Sequence, residues 1–290
     1  MPSPTLPEPA RNEPRGGRDL PAAIATGAAL LVPAVIGILF FVEVLILLFS
    51  VLLCLGVWEV ARALKGQGYN VPVVPLCVGS VGMLVAAYFA AEEGLVLSFA
   101  LTSALILVWV WASSAVRATP IGAEKPPIQS AAAAVFIGCW VPFLVSFAVL
   151  LVQMDDGAWR LTVVVLLVVC NDTFGYIAGR LFGRRPMAPK VSPKKSWEGF
   201  AGSLLGAAAV SALFSWVVFD EPLYAGVLLA VIVVVAATAG DFAESMVKRE
   251  AGIKDMSNAL PGHGGVMDRL DSVVWAMPAA YLGVVALGLA

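Results

Sequence analysis

Between Ser245 and Asp271 the chain gathers Lys248, Arg249, Lys254, Asp255, Asp268, Arg269 and its only histidine, His263, around Gly262, Gly264 and Gly265. Long apolar runs flank this window. In a chain that is only 13% charged, both signs of charge concentrated at one place point to chemistry on a charged substrate. Carboxylates hold hard cations such as Mg²⁺, ammonium and guanidinium groups neutralise phosphates, and a glycine-rich turn brings backbone N–H groups close to an anion. These are the parts of phosphoryl or nucleotidyl transfer, where catalysis is mostly positioning and charge stabilisation.

Three further segments carry matching residues. Upstream, Asp241, Glu244, Ser245 and Lys248 are spaced i, i+3, i+4, i+7, which makes one polar face of a helix. An ion pair between Glu244 and Lys248 closing the helix end is the plainer reading of that face; it leaves Asp241 without a partner. Asn171 and Asp172 lie inside an otherwise apolar run, with Gly175 and Gly179 three and seven residues after Asp172. That face is small enough for another helix to come close. A structural hydrogen bond between helices is the alternative role for Asp172. Asp268 and Asp271 stand i, i+3 where the last apolar run begins; Asp271 could be a helix N-terminal acid, a reading that fits Asp268 less well. His263 is either a loop histidine or part of a pocket. Finally, Arg180, Arg184, Arg185, Lys190, Lys194 and Lys195, with Ser192 and Ser196 and three prolines between them, suit a polyphosphate or anionic lipid headgroups. Ser196 is placed to cap the following helix, with Glu198 in its first turn.

The elements that must position these residues are membrane helices. The chain has 290 residues, 60% of them hydrophobic, and a mean hydropathy of +0.91. A soluble domain carries roughly 25% charged residues and about half apolar ones. The expected fold is all-α: a polytopic integral membrane protein of about nine transmembrane helices, at 21–41, 43–63, 71–90, 94–116, 131–152, 160–180, 197–218, 222–247 and 272–289. The short alternating strands of an outer-membrane barrel are absent from the sequence, as is an obvious internal repeat. Glu43 between the first two runs implies a tight hairpin. Residues 1–19 read as a disordered Pro-rich tail, 20–152 as N-terminal transmembrane helices and 153–290 as the transmembrane catalytic region. The first run is too long for a signal-peptide core and reads as a retained helix. Cys54, Cys77, Cys139 and Cys170 sit in apolar runs without C-x-x-C spacing, which implies inert thiols and no zinc site. A single histidine excludes a multi-histidine centre, so a metal here belongs on oxygen ligands.

Loop charge sets the orientation. Even-numbered runs are followed by basic loops: Arg62 and Lys65, Arg117 and Lys125, the 180–196 cations, and Lys248 to Arg269. Odd-numbered runs are followed by acidic or neutral ones, at Glu43, Glu92 and Glu93, Asp155 and Asp156, and Asp220 and Glu221. The positive-inside rule then places the N-terminus in the cytoplasm, the C-terminus outside, and both polar segments on the cytoplasmic side.

The 245–271 segment resembles the phosphatidate cytidylyltransferase (CDP-diacylglycerol synthase) family. Ser245, Lys248, Arg249, Lys254, Asp255, Pro261, His263, Gly264, Gly265, Asp268, Arg269 and Asp271 match its pattern, and Ser192–Gly199 and Asn171–Phe174 look like family segments. The resemblance is strong over about 160–275 and rests on hydrophobic layout before that. It implies an enzyme of the plasma membrane that joins CTP and phosphatidic acid to give CDP-diacylglycerol and pyrophosphate, with Mg²⁺ and either a second metal or K⁺. It implies Asp241 and Asp268 as a paired metal site, supported by Asp172 and Asp271. Lys194, Lys195, Lys248 and Arg249 would bind triphosphate or the lipid phosphate. Ser192, Ser245 and Arg269 would contact substrate, and His263, Gly264 and Gly265 would shape the nucleotide pocket. Its partners would be CTP, phosphatidic acid and the bilayer, with a homodimer expected from the family and no nucleic acid. Two rivals remain at this point: a transporter using Asp172 and Asp241 as an ion relay, and another CTP-dependent lipid enzyme such as a polyprenol kinase.

Overall fold

A computed structural model describes residues 20–116, 125–262 and 264–289. The tail at 1–19, the loop cation Arg117 and His263 lie outside the described residues.

Each apolar run forms helix. Helices α1 (Leu20–Leu39) and α2 (Val42–Lys65) are joined by Phe40 and Phe41 alone, which is the tight hairpin expected from Glu43. Gly37 makes this possible, since a Cβ there would lie 2.6 Å from the Leu45 nitrogen. Helix α3 (Val73–Val116) has 44 residues and breaks at Ala90 and Ala91, where Ala91 has φ +46°. An unbroken helix of that length would run about 66 Å, twice a bilayer's hydrocarbon core of about 30 Å. The break folds it back on itself, so that Gly79 touches Thr102. Its arms are the runs 71–90 and 94–116. Next come α4 (Pro127–Gly138), a π-helical turn (Cys139–Phe143) and α5 (Leu144–Val152). Pro142 lies within the π turn, where a missing N–H and extra ring bulk force the wider geometry.

The C-terminal half contains α6 (Gly157–Phe182), α7 (Trp197–Val217), α8 (Leu223–Glu250) and α9 (Met267–Ala286). Between α6 and α7 the basic segment forms an antiparallel hairpin of β1 (Pro186–Ala188) and β2 (Ser192–Ser196), where the sequence reading had only a proline-stiffened loop. Prolines are compatible with strands here because both strands are edges. Among the described residues, six helices are long and apolar enough to cross a membrane: Val42–Lys65, Val73–Ser114, Pro127–Val152, Gly157–Phe182, Trp197–Val217 and Leu223–Glu250. The protein is an all-α membrane protein with one small hairpin attached. Its core runs through Leu53, Val57, Leu76, Ile137, Val149, Val164, Val233 and Val274, all buried, while Phe89, Trp111, Leu205 and Trp216 are exposed on the outside as lipid contact demands.

The helices that carry the polar residues approach closely. A Cβ on Gly202 would lie 2.3 Å from the Ala178 Cβ, one on Gly206 would lie 2.2 Å from the Phe174 ring, and one on Gly175 would lie 2.5 Å from Ser203 Oγ. Small residues let α6 and α7 meet at backbone distance, as the spacing of Gly175 and Gly179 implies. Gly202→Ala is therefore expected to cost about 1–3 kcal/mol through overpacking. Thermal unfolding in detergent checks this, with Gly27→Ala as control because nothing lies within 4 Å of a Cβ there. Equal midpoints for the two variants would refute the close crossing.

Candidate functional site

Helix α8 presents its polar face as its spacing requires. Ser245 Oγ donates to Asp241 Oδ1 at 3.3 Å, and Lys248 Nζ lies 2.5 Å from Glu244 Oε2. The Glu244–Lys248 pair thus exists, but Lys248 also reaches across to α9, donating to Asp268 Oδ1 at 2.8 Å. Asp241 is not left alone either, because Lys195 at the end of β2 pairs with it. The Lys195 ammonium also sits 4.9 Å from the Phe242 ring centroid. Two carboxylate–ammonium pairs, Asp241–Lys195 and Asp268–Lys248, therefore join β2, α8 and α9.

Asp268 is held from two sides. Its Oδ2 accepts from the backbone N–H groups of Gly265 at 3.0 Å and Met256 at 2.9 Å, which leaves Oδ1 to Lys248. This residue precedes the apolar part of α9. Partial burial pushes its carboxyl upward, but Lys248 and the two N–H groups outweigh that and hold it below the usual aspartate range. Asp268 is therefore an anion at neutral pH.

Asp172 and Asp271 complete the acidic group. Both lie close enough to Asp241 for their charges to interact, and Arg269 acts on Asp172 in the same way. Gly240 allows the α8–α9 approach that brings Asp271 in, since a Cβ there would lie 2.5 Å from the Asp271 carbonyl. Asn171 ties the helices together: its Nδ2 donates to Asp172 Oδ1 at 3.1 Å, its Oδ1 accepts from Thr238, and its carbonyl accepts from Ser203 Oγ at 2.6 Å. Beside this knot lies a cavity of about 300 Å³, lined by Asn171, Asp172, Ser192, Lys194, Lys195 and Thr238 among others. Ser196 caps α7 by accepting from the Gly199 N–H at 3.1 Å, and Glu198 accepts from the N–H groups of Arg184 and Arg185, which fastens the β-hairpin over the cavity. Arg249 Nε contacts the Val191 carbonyl in the same hairpin.

The glycine turn closes through a bridge between Leu260 and Gly264, with Gly264 in the left-handed region at φ +86°. Glu59 of α2 is a functional candidate that the sequence reading passed over. It is fully buried and accepts from Ser257 Oγ at 2.5 Å, Val266 N–H at 2.9 Å and Met267 N–H at 2.8 Å. The available signal was a lone carboxylate inside the second apolar run, which is a functional pointer by default in a membrane helix.

Of the predicted site residues, Asp172, Ser192, Lys194 and Lys195 line one cavity, Lys195 pairs with Asp241, and Lys248 pairs with Asp268. Residues 22–287 match the model of the cytidylyltransferase family. The chain belongs to the cytidylyltransferase family. It is similar to "Phosphatidate cytidylyltransferase" of Mycobacterium leprae, at 38% identity over 91% of this chain and 87% of that one. It is also similar to the protein of the same name from Mycobacterium bovis, at 36% identity over 95% and 91%. A shorter stretch, 42% of this chain and 44% of the relative, is 44% identical to the Haemophilus influenzae protein of that name. As a cytidylyltransferase the protein is an enzyme, a nucleotidyltransferase. The similarity to the mycobacterial relatives spans both halves of the chain, so the N-terminal helices that contribute Glu59 are part of what these proteins share.

Proposed function

We propose that this cytidylyltransferase joins CTP and phosphatidic acid to form CDP-diacylglycerol and pyrophosphate at the cytoplasmic face of the plasma membrane. The observation that carries this reading is the pair of carboxylate–ammonium contacts, Asp241–Lys195 and Asp268–Lys248, of which Lys195 also lines the cavity that holds Asp172, Ser192 and Lys194. A site at that face meets a soluble nucleotide from one side and a lipid headgroup from the other. The similar proteins of known name support the lipid substrate. The residues also gather around these contacts and that cavity, which suits an enzyme at an interface better than an ion relay through the bilayer.

The donor set fits Mg²⁺. Among the described residues no three acidic, histidine or cysteine groups form a ready-made cage. Mg²⁺ ordinarily binds through one or two carboxylates plus phosphate oxygens and water. Asp241 and Asp268 would hold it, with Asp172 and Asp271 in support and a second metal or K⁺ alongside. When bound, such an ion neutralises the oxygens that attack and leave. The side chains do the rest. Lys194, Lys195, Lys248 and Arg249 hold phosphates, Ser192, Ser245 and Arg269 orient them, and Gly264 and Gly265, with His263, shape the nucleotide side. A phosphate oxygen of phosphatidic acid bonds to the α-phosphorus of CTP, the α–β bridging bond breaks, and pyrophosphate leaves in line. The phosphate monoester is already an anion near neutral pH, so no general base is needed.

The same reading takes the nine helical runs as nine crossings, with the N-terminus in the cytoplasm and the C-terminus outside. The α3 hairpin supplies two of them. The protein acts as a homodimer in this reading, as expected for the family.

Product analysis with purified protein, CTP, Mg²⁺ and phosphatidic acid tests the proposal. CDP-diacylglycerol is the expected product; in a parallel assay with a polyprenol in place of phosphatidic acid, CDP and polyprenyl phosphate would identify a lipid kinase instead. Lys194→Ala should raise the KM of one phosphate substrate about tenfold or more, the loss of one charge-assisted hydrogen bond. Unchanged KM for both CTP and phosphatidic acid would remove Lys194 from the phosphate site.

A further inference from the structure

We propose that Glu59 of α2 is a positioning residue that sets Asp268 for metal binding, an inference that rests on the role proposed for Asp268. Helix α9 begins at Met267, and its first backbone N–H groups have no partners within the helix. An acid at the start of a helix ordinarily turns back to meet such groups. Asp268 stands in this first turn, yet the N–H groups of Val266 and Met267 go to Glu59, 2.9 and 2.8 Å away on a different helix. Both Glu59 oxygens are used, one of them also by Ser257 Oγ. Glu59 is therefore anchored as an acceptor by three donors.

The consequence falls on Asp268. With the helix end satisfied from outside, Asp268 commits one oxygen, Oδ2, to Gly265 and Met256, and points Oδ1 at Lys248 and the site. Gly265 separates the two acids. A Cβ on it would lie 2.8 Å from Asp268 Oδ2 and 3.0 Å from each Glu59 oxygen, so only glycine lets the two carboxylates grip one turn from both sides. The N-terminal half thereby reaches into the site through one buried side chain.

Glu59→Gln keeps the shape but turns one acceptor into a donor facing backbone N–H groups. Two measurements on full-length protein in lipid micelles test the proposal. Amide hydrogen exchange at Val266 and Met267 should speed up about tenfold, and Mn²⁺ affinity, read from its EPR signal, should weaken about tenfold, the effect of losing a residue that orients a ligand. Because Mn²⁺ binding is read without turnover, a wild type that binds Mn²⁺ but makes no CDP-diacylglycerol overturns the proposed reaction and leaves this inference standing. Faster exchange with unchanged Mn²⁺ affinity makes Glu59 a purely structural clamp and overturns it. If Glu59→Gln does not fold, Ser257→Ala removes one of the three donors and should weaken Mn²⁺ binding in the same direction by a smaller factor. No change in that variant overturns the proposal as well.

Discussion

Asp268→Asn is expected to lower the rate of CDP-diacylglycerol formation about 10³-fold while leaving the protein folded. The amide oxygen can keep the two backbone hydrogen bonds from Gly265 and Met256, so the turn survives. What changes is the atom aimed at Lys248: an anionic oxygen becomes an N–H₂ group, which repels the ammonium and cannot ligate a cation. The magnitude follows from losing one preorganised charge interaction in a transfer reaction. Asp268→Ala should be as inactive and less stable, because it also frees the Gly265 and Met256 N–H groups. Product formation and the thermal midpoint, measured on both variants, separate the two effects. Wild-type activity in Asp268→Asn would end the metal assignment for this residue.

Lys248→Ala should produce the largest loss of stability of any single change at this site. The ammonium lies between Glu244, whose side chain has no exposed surface, and Asp268, which is 9% exposed. Removing it leaves the Glu244 and Asp268 carboxyl groups without their shared cation in a buried place. Breaking a buried ion pair from one side costs about 3–5 kcal/mol. Adding Glu244→Gln should return part of that stability, since one of the stranded carboxyl groups is gone. Activity should stay lost in the double variant, as the cation proposed to hold phosphate is still missing. Unfolding midpoints of the wild type, single and double variants decide the matter: a single variant as stable as the wild type, or no recovery in the double, would contradict the arrangement.

Local features of the site were legible in the sequence because their physics is local. The i, i+3, i+4, i+7 spacing places Asp241, Glu244, Ser245 and Lys248 on one face, and the Ser245–Asp241 hydrogen bond and the Glu244–Lys248 ion pair on that face follow from it. Ser196 caps α7 because a serine before an apolar run is placed to do so. The two runs within α3 separate into hairpin arms, although nothing in Ala90–Ala91 marks the turn, since alanine is an ordinary helix former. The β-hairpin was hidden for the opposite reason: three prolines among cations suggest a stiffened loop, yet proline is excluded only from central strands and not from an isolated edge pair. Glu59 was out of reach of any windowed pattern. Its partners lie 198 to 208 residues downstream, and no periodicity within one helix records where a distant loop will dock. The same distance problem concealed that Lys195 would meet Asp241. Loop charge led to the expectation that both lie toward one membrane end, but only tertiary packing chose the pairing.

That separation along the chain also orders events during synthesis. Val266 follows Glu59 by 207 residues. At about 5–20 residues per second, this is a delay of roughly 10–40 s. Throughout that time α2 holds a carboxylate whose backbone donors do not yet exist. An unsatisfied charge of this kind is costly in hydrocarbon and favours the water-facing end of the helix. Arrival of the last loop resolves it, so a chain that stops short of Val266 carries its own mark of incompleteness in a helix made long before.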